Sequence, residues 1–223
     1  MPTTLILGAS RGIGLELARQ SVAAHQRVIA TARSDEGLAR LRELGAEVLR
    51  LDVAEPASIS GLSWQLDGEK IDTAWYVAGV MCSRADAHLP PAQREFDRVM
   101  HANVLGAMQA IPQIAPLVEA ARGRLGFITS SMGRIGEVGG SNAWLYRTSK
   151  AALNMAVAAA RHGYPRALFV LLHPGWVRTD MGGPQAGIST QDSVTQLRAT
   201  LASATAADNG GFFNHDGNRL NGW

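Results

Sequence analysis

The sequence contains a single cysteine, Cys82, among its 223 residues. One thiol cannot build a disulfide framework, and such scarcity is typical of proteins from a reducing compartment. The chain also lacks a long apolar run at its start, because Met-Pro-Thr-Thr-Leu-Ile-Leu-Gly has no basic region and only a brief apolar stretch. A signal peptide or a membrane span is therefore not expected there, and we predict a cytoplasmic globular protein.

Charge is sparse as well, at 18% of residues with a net charge of +2 and no block of like charges. This distribution argues against nucleic acid as a partner. The six histidines show no metal-ligand spacing, and none forms a recognisable triad with Cys82, so no metal site is predicted. With 46% hydrophobic residues and no repeat or linker, residues 1–223 are expected to form one domain.

Lysine is almost absent, because only Lys70 and Lys150 contribute to the 21 basic side chains. In so arginine-rich a chain, a lysine at position 150 indicates a need for a compact, flexible ammonium. It follows Tyr146 by four positions, so both lie on one helix face, where the cation can lower the pKa of the phenol for proton transfer. Three tyrosines and two lysines give this spacing by chance about 0.03 times. The alternative is an ordinary surface pair on a helix.

Apolar runs alternate with helical segments along the chain, which predicts an α/β fold with a doubly wound parallel sheet. About seven strands are expected, at 3–7, 27–32, 47–51, 71–77, 124–129, 166–172 and 211–215. Helices on both faces of the sheet are expected at 15–24, 35–44, 56–66, 92–101, 103–121, 143–161 and 190–202. In the segment 103–121, Pro112 and Pro116 are expected to kink or interrupt the helix. Ser34 is the expected N-cap of the helix at 35–44.

A glycine-rich turn joins the first strand to the first helix. Gly8, Gly12 and Gly14 have the spacing G-x-x-x-G-x-G. Glycines at such positions permit a tight turn, let the backbone approach a pyrophosphate and aim the helix N-terminus at its negative charge. The turn therefore predicts nucleotide binding.

Arg33 follows the second strand, where a fold that prefers NAD carries an acidic residue for the ribose 2′-hydroxyl. Together with Arg11 of the glycine turn, it is expected to converge on a 2′-phosphate, which predicts NADP(H) as the cofactor. The alternative is that both are solvated loop arginines. Asp52, at the end of the third strand, lies where ligands bind in open α/β sheets, or else it caps the helix that follows.

The glycine turn, Arg33, Ser130, the Tyr146–Lys150 pair and Pro174-Gly175 occur in an order that resembles the short-chain dehydrogenase/reductase superfamily over almost the whole chain. Segments 130–136, 146–155, 173–181 and 211–217 are most similar to its small carbonyl reductases of C-factor and Sniffer type. The resemblance implies a single-domain Rossmann fold.

The resemblance also implies a catalytic set of four residues. Tyr146 would donate a proton to the substrate carbonyl oxygen, and Ser130 would hydrogen-bond the same oxygen. Lys150 would lower the pKa of Tyr146 and hold the nicotinamide ribose. Asn103 would hold a water that links Lys150 to solvent.

Implied cofactor contacts come from the loops at the ends of the strands. The pyrophosphate and phosphate would be held by Gly8, Ser10, Arg11, Gly12, Ile13 and Gly14. The adenine end would meet Asp52, Val53, Ala78 and Gly79. The nicotinamide would be held by Pro174, Gly175, Val177 and Thr179.

Two positions depart from the family pattern. Tyr76-Val77-Ala78-Gly79 stands where the family commonly has Asn-Asn-Ala-Gly, from which we expect a local difference in stability and not a loss of activity. Ser130 precedes Tyr146 by 16 positions, a few more than the family usually shows. The spacing Ser130-x-x-Gly133 favours Ser130 as the catalytic serine, and Ser131 stays the alternative.

These observations favour an NADPH-dependent reductase of a small ketone, aldehyde or quinone. The alternatives are an NADP-dependent alcohol or steroid dehydrogenase that works in the oxidative direction, and an NADPH-binding sensor or signalling protein. A rather open substrate site is expected, with apolar walls from Trp144, Trp176, Met132 and Met181. By resemblance, a homo-oligomer is expected, as a dimer through the helices at 103–121 and 151–161.

Overall fold

A computed structural model describes residues 1–83 and 85–221 of the chain. Its centre is one sheet of seven parallel strands in the order β3-β2-β1-β4-β5-β6-β7. The strands are β1 Thr3–Leu7, β2 Arg27–Ala32, β3 Glu47–Arg50, β4 Thr73–Tyr76, β5 Arg124–Ile128, β6 Leu168–His173 and β7 Gly211–Asn214. The predicted α/β fold with a doubly wound parallel sheet is confirmed.

Helices cover both faces of this sheet. They are α1 Gly12–Ala23, α2 Asp35–Glu43, α3 Pro56–Ser60, α4 Leu62–Gln65, α5 Gln93–Met100, α6 Gly106–Ala120, α7 Trp144–Ala160 and α8 Thr190–Ser203. The strand β1 shows how the layers form, since Leu5 and Leu7 pack with Ile111 of α6, while Ile6 packs with Leu17 of α1. A strand buried on both faces needs a continuous apolar run, which is why its sequence was recognisable.

Of the two expected effects of the prolines at 103–121, a kink or an interruption, the interruption is wrong. The chain leaves α5, passes through one π-helical segment at His101–Leu105, and continues as α6 without a break at Pro112 or Pro116. Both prolines lie four positions apart on the exposed face, where the carbonyls they leave without an N–H partner can meet solvent. The opposite face, with Ile111 and Ile114, is buried and holds the helix in place.

Other boundaries differ for local reasons. The expected helix at 56–66 is two short helices, because Gly61 separates α3 from α4. Between β5 and α7, one 3₁₀ turn spans Ser131–Gly133 and a second spans Ile135–Glu137. The predicted cap is confirmed, since the Ser34 hydroxyl accepts a hydrogen bond from the Gly37 N–H over 3.2 Å.

The amino-terminal edge of the sheet is held by an ion-pair network. The guanidinium of Arg27, at the start of β2, donates to Glu47 at the start of β3 and to Glu69 before β4. These hydrogen bonds lower the pKa of the Glu69 carboxyl and raise that of Arg27. The network therefore joins three chain segments at the amino-terminal edge of the sheet, opposite to the carboxyl edge.

The carboxyl edge of the sheet collects the loops that carry the predicted site residues. The order of strands reverses between β1 and β4, and ligands of open α/β sheets bind at such a point. The loops after β1, β4, β5 and β6 meet there. In the part of the chain that the structure describes, no helix is long and apolar enough to cross a bilayer.

Candidate active site

A cleft of about 560 Å³ runs along the carboxyl edge of the sheet. The charged residues that line it are mostly basic. They are the cations Arg11, Arg33, Arg40, Lys150 and Arg178 and the anions Asp52 and Asp180. A concave surface with excess positive charge attracts polyphosphate ligands. Most of the predicted cofactor contacts line this cleft, namely Gly8, Ser10, Arg11, Gly12, Ile13, Arg33, Asp52, Val53, Ala78, Gly79, Tyr146, Lys150, Pro174 and Thr179.

The glycine turn forms the floor of the cleft, and its glycines leave room for close backbone packing. Gly8 has φ +90°, and a Cβ there would lie 2.7 Å from the Ala78 nitrogen. A Cβ on Gly14 would lie 2.1 Å from the Gly8 carbonyl oxygen. Gly14 thus supports the turn from behind, and Gly12 opens α1 with its N-terminus at the cleft. Such a cradle fits a phosphate at a helix N-terminus.

Two ion pairs lie along the cleft. The Arg33 Nη1 is 3.8 Å from the Asp52 Oδ2, and the Arg11 Nη1 is 3.3 Å from the Asp180 Oδ2. Three of these four side chains are more than half exposed, so the pairs contribute little and can exchange for another anion. Arg11 and Arg33 lie in the same cleft, and their convergence on one phosphate stays a prediction.

Asp52 lines the cleft and does not cap α3, whose N-cap residue is Glu55. Its Oδ1 accepts a hydrogen bond from the Ala54 N–H over 3.0 Å, which stabilises the turn before α3. Its Oδ2 faces Arg33, and the residue lines the cleft. The two carboxylate oxygens therefore face different partners, and a contact of Asp52 with the cofactor stays a prediction.

Tyr146 and Lys150 lie in the first turns of α7, and both are almost fully buried. The Lys150 ammonium donates a hydrogen bond to the Ile128 carbonyl over 3.1 Å and lies 5.8 Å from the centre of the Tyr146 ring. Gly133 packs against this helix, since a Cβ there would be 2.8 Å from the Lys150 carbonyl carbon. Both predicted catalytic side chains line the cleft.

Burial has the largest effect on the pKa values of this pair. Burial raises the pKa of the Tyr146 phenol to about 12, a hydrogen bond with Ser130 acts in the opposite direction, and Cys82 raises it further. Burial also lowers the pKa of Lys150 to about 8. The net shift of the phenol is upward because desolvation outweighs the hydrogen bond, and the effect of Lys150 on this pKa stays a prediction. The phenol holds its proton at neutral pH, as a proton donor must.

Ser130 follows β5 and interacts with Tyr146. Its hydroxyl also accepts a hydrogen bond from the Met132 N–H over 3.1 Å, which caps the 3₁₀ turn Ser131–Gly133. That turn packs against α7, since a Cβ on Gly133 would lie 3.0 Å from the Ala151 nitrogen. Ser131 lines the same pocket, but the hydrogen bond with Tyr146 favours Ser130.

Asn103 is fully buried in the π-helical segment between α5 and α6. Its amide holds the backbone of Val80 from both sides, accepting from the N–H over 2.7 Å and donating to the carbonyl over 3.0 Å. It also donates to the Ser149 hydroxyl over 2.9 Å. A Cβ on Gly79 would lie 3.1 Å from the Asn103 Oδ1 and 3.5 Å from the Lys150 Nζ, so Asn103 is close to the ammonium. Its role in holding a water stays a prediction.

A second pocket, of about 350 Å³, adjoins the cleft at Tyr146. Its apolar lining includes Met81 and three of the four predicted walls, Met132, Trp176 and Met181. The prediction for Trp144 is wrong, because this residue begins α7 and is partly exposed to solvent away from the pocket lining. The lining also takes in Ser130 and the remaining predicted nicotinamide contacts, Gly175 and Val177.

Several residues of the two pockets escaped the sequence analysis. His173, at the end of β6, lines the second pocket, and its pKa is lowered to about 4 by burial and by the nearby His215, so its imidazole is neutral. Arg40 and Asp180 line the first cleft. Asp180 directly follows Thr179, a predicted nicotinamide contact, so its place in the cleft could have been predicted from the sequence. Arg40 lies inside α2, and its place in the cleft depends on how α2 packs.

The chain matches known proteins over most of its length. The family model described as short chain dehydrogenase matches residues 2–187. C-signal of Myxococcus xanthus is 35% identical over 147 residues, which cover 65% of this chain and 86% of that protein. The carbonyl reductase Sniffer of D. melanogaster has a TM-score of 0.91 and 27% identity over 100% of both chains. The NADPH-bound carbonyl reductase from chicken fatty liver has a TM-score of 0.87 and 27% identity over 100% of this chain and 99% of that one.

These similarities include the elements that form the cleft. The matched segment begins in front of β1 and ends beyond β6, so it spans the glycine turn, the Tyr146–Lys150 helix and the loop after His173. The structural similarity extends over the whole chain, including β7. The chain therefore belongs to the short-chain dehydrogenase/reductase family, in its carbonyl reductase branch.

Proposed function

We propose that this protein reduces a small carbonyl compound (a ketone, aldehyde or quinone) with NADPH, and that Tyr146 donates the proton. The observation that carries the proposal is the position of Tyr146 at the junction of the two pockets. On one side lies a basic cleft suited to a dinucleotide, and on the other an apolar pocket suited to a small substrate. A protonated phenol lies between them.

The cleft fits NADPH in shape and in charge. A Cβ at Gly8 or Gly14 would collide with the backbone, so the floor of the cleft is shaped by glycine. Arg11 and Arg33 supply guanidinium groups for phosphate, and the chicken carbonyl reductase of similar fold was solved with NADPH. Bound NADPH supplies the hydride for reduction of the carbonyl carbon.

The chain itself supplies the proton and the electrostatic stabilisation. Tyr146 and Ser130 interact beside the second pocket, so both hydroxyls can donate to one carbonyl oxygen. Donors already in place where negative charge develops lower the barrier without reorganisation. The Lys150 ammonium, with Asn103 behind it, stabilises the phenolate that remains after the proton leaves.

Two alternative functions are considered. One is the reverse reaction, and the other is signalling without a need for turnover. Oxidation of an alcohol or steroid with NADP⁺ would use the same groups in reverse. The name of the relative C-signal is the observation that favours a signalling role. The buried Ser130–Tyr146–Lys150 cluster favours turnover, because a protein that only binds NADPH has no need for a phenol in this position.

The test is turnover of a panel of carbonyl compounds with NADPH and with NADH. We expect at least a tenfold preference for NADPH, equal to about 1.4 kcal/mol. The variant Tyr146→Phe should lose activity by at least about a hundredfold, since general acid catalysis contributes that much. The matched control is Tyr164→Phe, whose ring stacks on Phe169 in the core. Full activity in Tyr146→Phe would refute the proposed proton donor.

We also propose a homodimer that pairs α6 and α7 between subunits. Met108 of α6 and Met155 of α7 are 54% and 70% exposed, so both helices offer an apolar side chain to a second subunit. Next to Met155, the small side chains of Ala152, Ala156 and Ala159 allow close helix packing. Sedimentation of the wild type and of Met155→Glu tests this, and a monomeric wild type would contradict it. A cytoplasmic location stays a prediction from the single cysteine.

A further inference from the structure

Arg40 is a basic residue of the cleft that neither the glycine turn nor the end of β2 supplies. It lies in the middle of α2, yet it lines the cleft together with Arg33 and Ser10. Its Nη1 donates a hydrogen bond to the Ser10 carbonyl over 2.8 Å, so the guanidinium reaches back to the glycine turn. The other half of the guanidinium pairs with Glu36, one turn earlier on the same helix.

The packing of α2 explains how Arg40 reaches the cleft. A Cβ on Gly37 would lie 2.8 Å from the Ser10 Cβ and 3.0 Å from the Ala32 Cβ. The first turn of α2 is therefore pressed against the glycine turn at a point where only glycine fits. Arg40 is three positions after Gly37, on the same face, and helix side chains lean toward the N-terminus. Its guanidinium thus lies beside Ser10.

Arg40 is better ordered for anion binding than the two arginines predicted from the sequence. Its side chain is 41% exposed, whereas those of Arg33 and Arg11 are 67% and 65% exposed. One of its nitrogens is held by a backbone carbonyl, so part of the entropy cost of ordering a long side chain is already met. Its acidic partner Glu36 is 83% exposed, and such a pair exchanges readily for a dianion.

We propose that Arg40 is a specificity-determining residue that binds the ribose 2′-phosphate, as a third guanidinium beside Arg11 and Arg33. The ligand class is a ribose 2′-phosphomonoester, and the inference rests on the NADPH preference proposed above. Arg40 also supports Ser10 in the glycine turn. Three guanidiniums around one dianion provide charge-assisted hydrogen bonds from several directions, which a ribose 2′-hydroxyl cannot exploit.

The experiment compares two cofactor fragments by titration calorimetry, without turnover. Adenosine 2′,5′-bisphosphate carries the 2′-phosphate, and adenosine 5′-monophosphate lacks it. In Arg40→Gln, we expect affinity for the bisphosphate to fall at least fivefold and affinity for the monophosphate to change less than twofold. Arg40→Lys keeps the positive charge but lacks the planar guanidinium that binds a phosphate through two nitrogens. Its affinity for the bisphosphate should therefore fall less than that of Arg40→Gln. The control is Arg42→Gln, exposed on the same helix two positions further, which should bind both fragments like the wild type.

The outcomes separate this inference from the proposed function. A wild type that binds both fragments equally would overturn the NADPH preference and the inference with it. A wild type that prefers the bisphosphate, with the preference kept in Arg40→Gln and lost in Arg33→Gln, would overturn the inference alone. Equal weakening of both fragments in Arg40→Gln would also overturn it, because Arg40 would then act only on the backbone of Ser10.

Discussion

The Lys150 ammonium lies 5.8 Å from the centre of the Tyr146 ring, and its hydrogen bond goes to the Ile128 carbonyl and not to the phenol. The two groups are buried together, and burial moves their pKa values in opposite directions. The phenol keeps its proton more firmly, while the ammonium loses its proton more easily. Both changes are measurable.

Lys150 should make the stability of the protein depend on pH above about 8. Burial lowers its pKa to about 8 in the folded protein, so between pH 8 and 10 the unfolded chain binds more protons. The unfolding free energy should therefore rise with pH in this window, by about 1.4 kcal/mol per unit and about 2–3 kcal/mol in total.

Urea titrations of the wild type and of Lys150→Met, at pH 7 to 10, measure this dependence. The variant should lack the rise, and the control Lys70→Met, at an exposed position, should keep it. The raised pKa of Tyr146 reduces stability only above about pH 10, outside the window. Parallel profiles for the wild type and Lys150→Met would contradict the prediction.

Tyr76 should stabilise the junction between β4 and the π-helical segment. Its hydroxyl donates a hydrogen bond to the Ala102 carbonyl over 3.1 Å, and both residues are buried. Tyr76→Phe leaves that carbonyl without its partner, so we expect a loss of about 1–2 kcal/mol of unfolding free energy. Activity should remain near the wild-type level. Both outcomes agree with the expectation from the sequence, which was a local difference in stability without a loss of activity. Denaturation and kinetic assays against Tyr164→Phe check both parts.

Gly8 and Gly68 offer a test of the packing under the glycine turn. Both have positive φ, at +90° and +78°, but a Cβ on Gly8 would collide with Ala78, whereas a Cβ on Gly68 has open space within 4 Å in the described structure. Gly68→Ala should cost about 1 kcal/mol from the backbone conformation alone. Gly8→Ala should cost at least about 2 kcal/mol more, because backbone atoms must move. Equal losses in thermal or urea unfolding would show that Ala78 can give way freely.

Asp180 should weaken cofactor binding by pairing with Arg11. The two side chains are 78% and 65% exposed, and both line the cleft. Asp180→Asn frees Arg11 and removes one negative charge, so affinity for NADPH should rise about two- to fivefold at low salt and less at high salt. Fluorescence titration with NADPH measures it, and Asp67→Asn at an exposed position is the control. Unchanged or weaker binding would count against this competition.

The sequence predicted those parts of the fold that depend on local patterns. The run Thr3–Leu7 is a strand because both of its faces are buried, and burial on both faces leaves an unbroken apolar stretch. The glycine turn and the Tyr146–Lys150 spacing were recognisable because each is a short segment with its own geometric requirement. Such features need no knowledge of distant contacts.

What escaped prediction depends on how distant elements pack. Pro112 and Pro116 were expected to kink or interrupt a helix, but α6 is not interrupted, because its buried side stabilises it and both prolines face solvent. Arg40 was missed because its place in the cleft follows from the contact between Gly37 and Ser10, which are 27 positions apart. The pKa of Tyr146 was predicted from its neighbour in sequence, whereas burial decides it.

The two edges of the sheet carry different features, so residues at one edge can be changed separately from residues at the other. The pockets lie at the carboxyl edge, while Arg27 joins Glu47 and Glu69 at the amino edge, on the far side of the core. Substitutions around Arg27 are therefore expected to change stability while leaving the residues that line the pockets in place. The same separation makes the amino edge the suitable side for fixing the protein to a support while substrate and cofactor enter from the other.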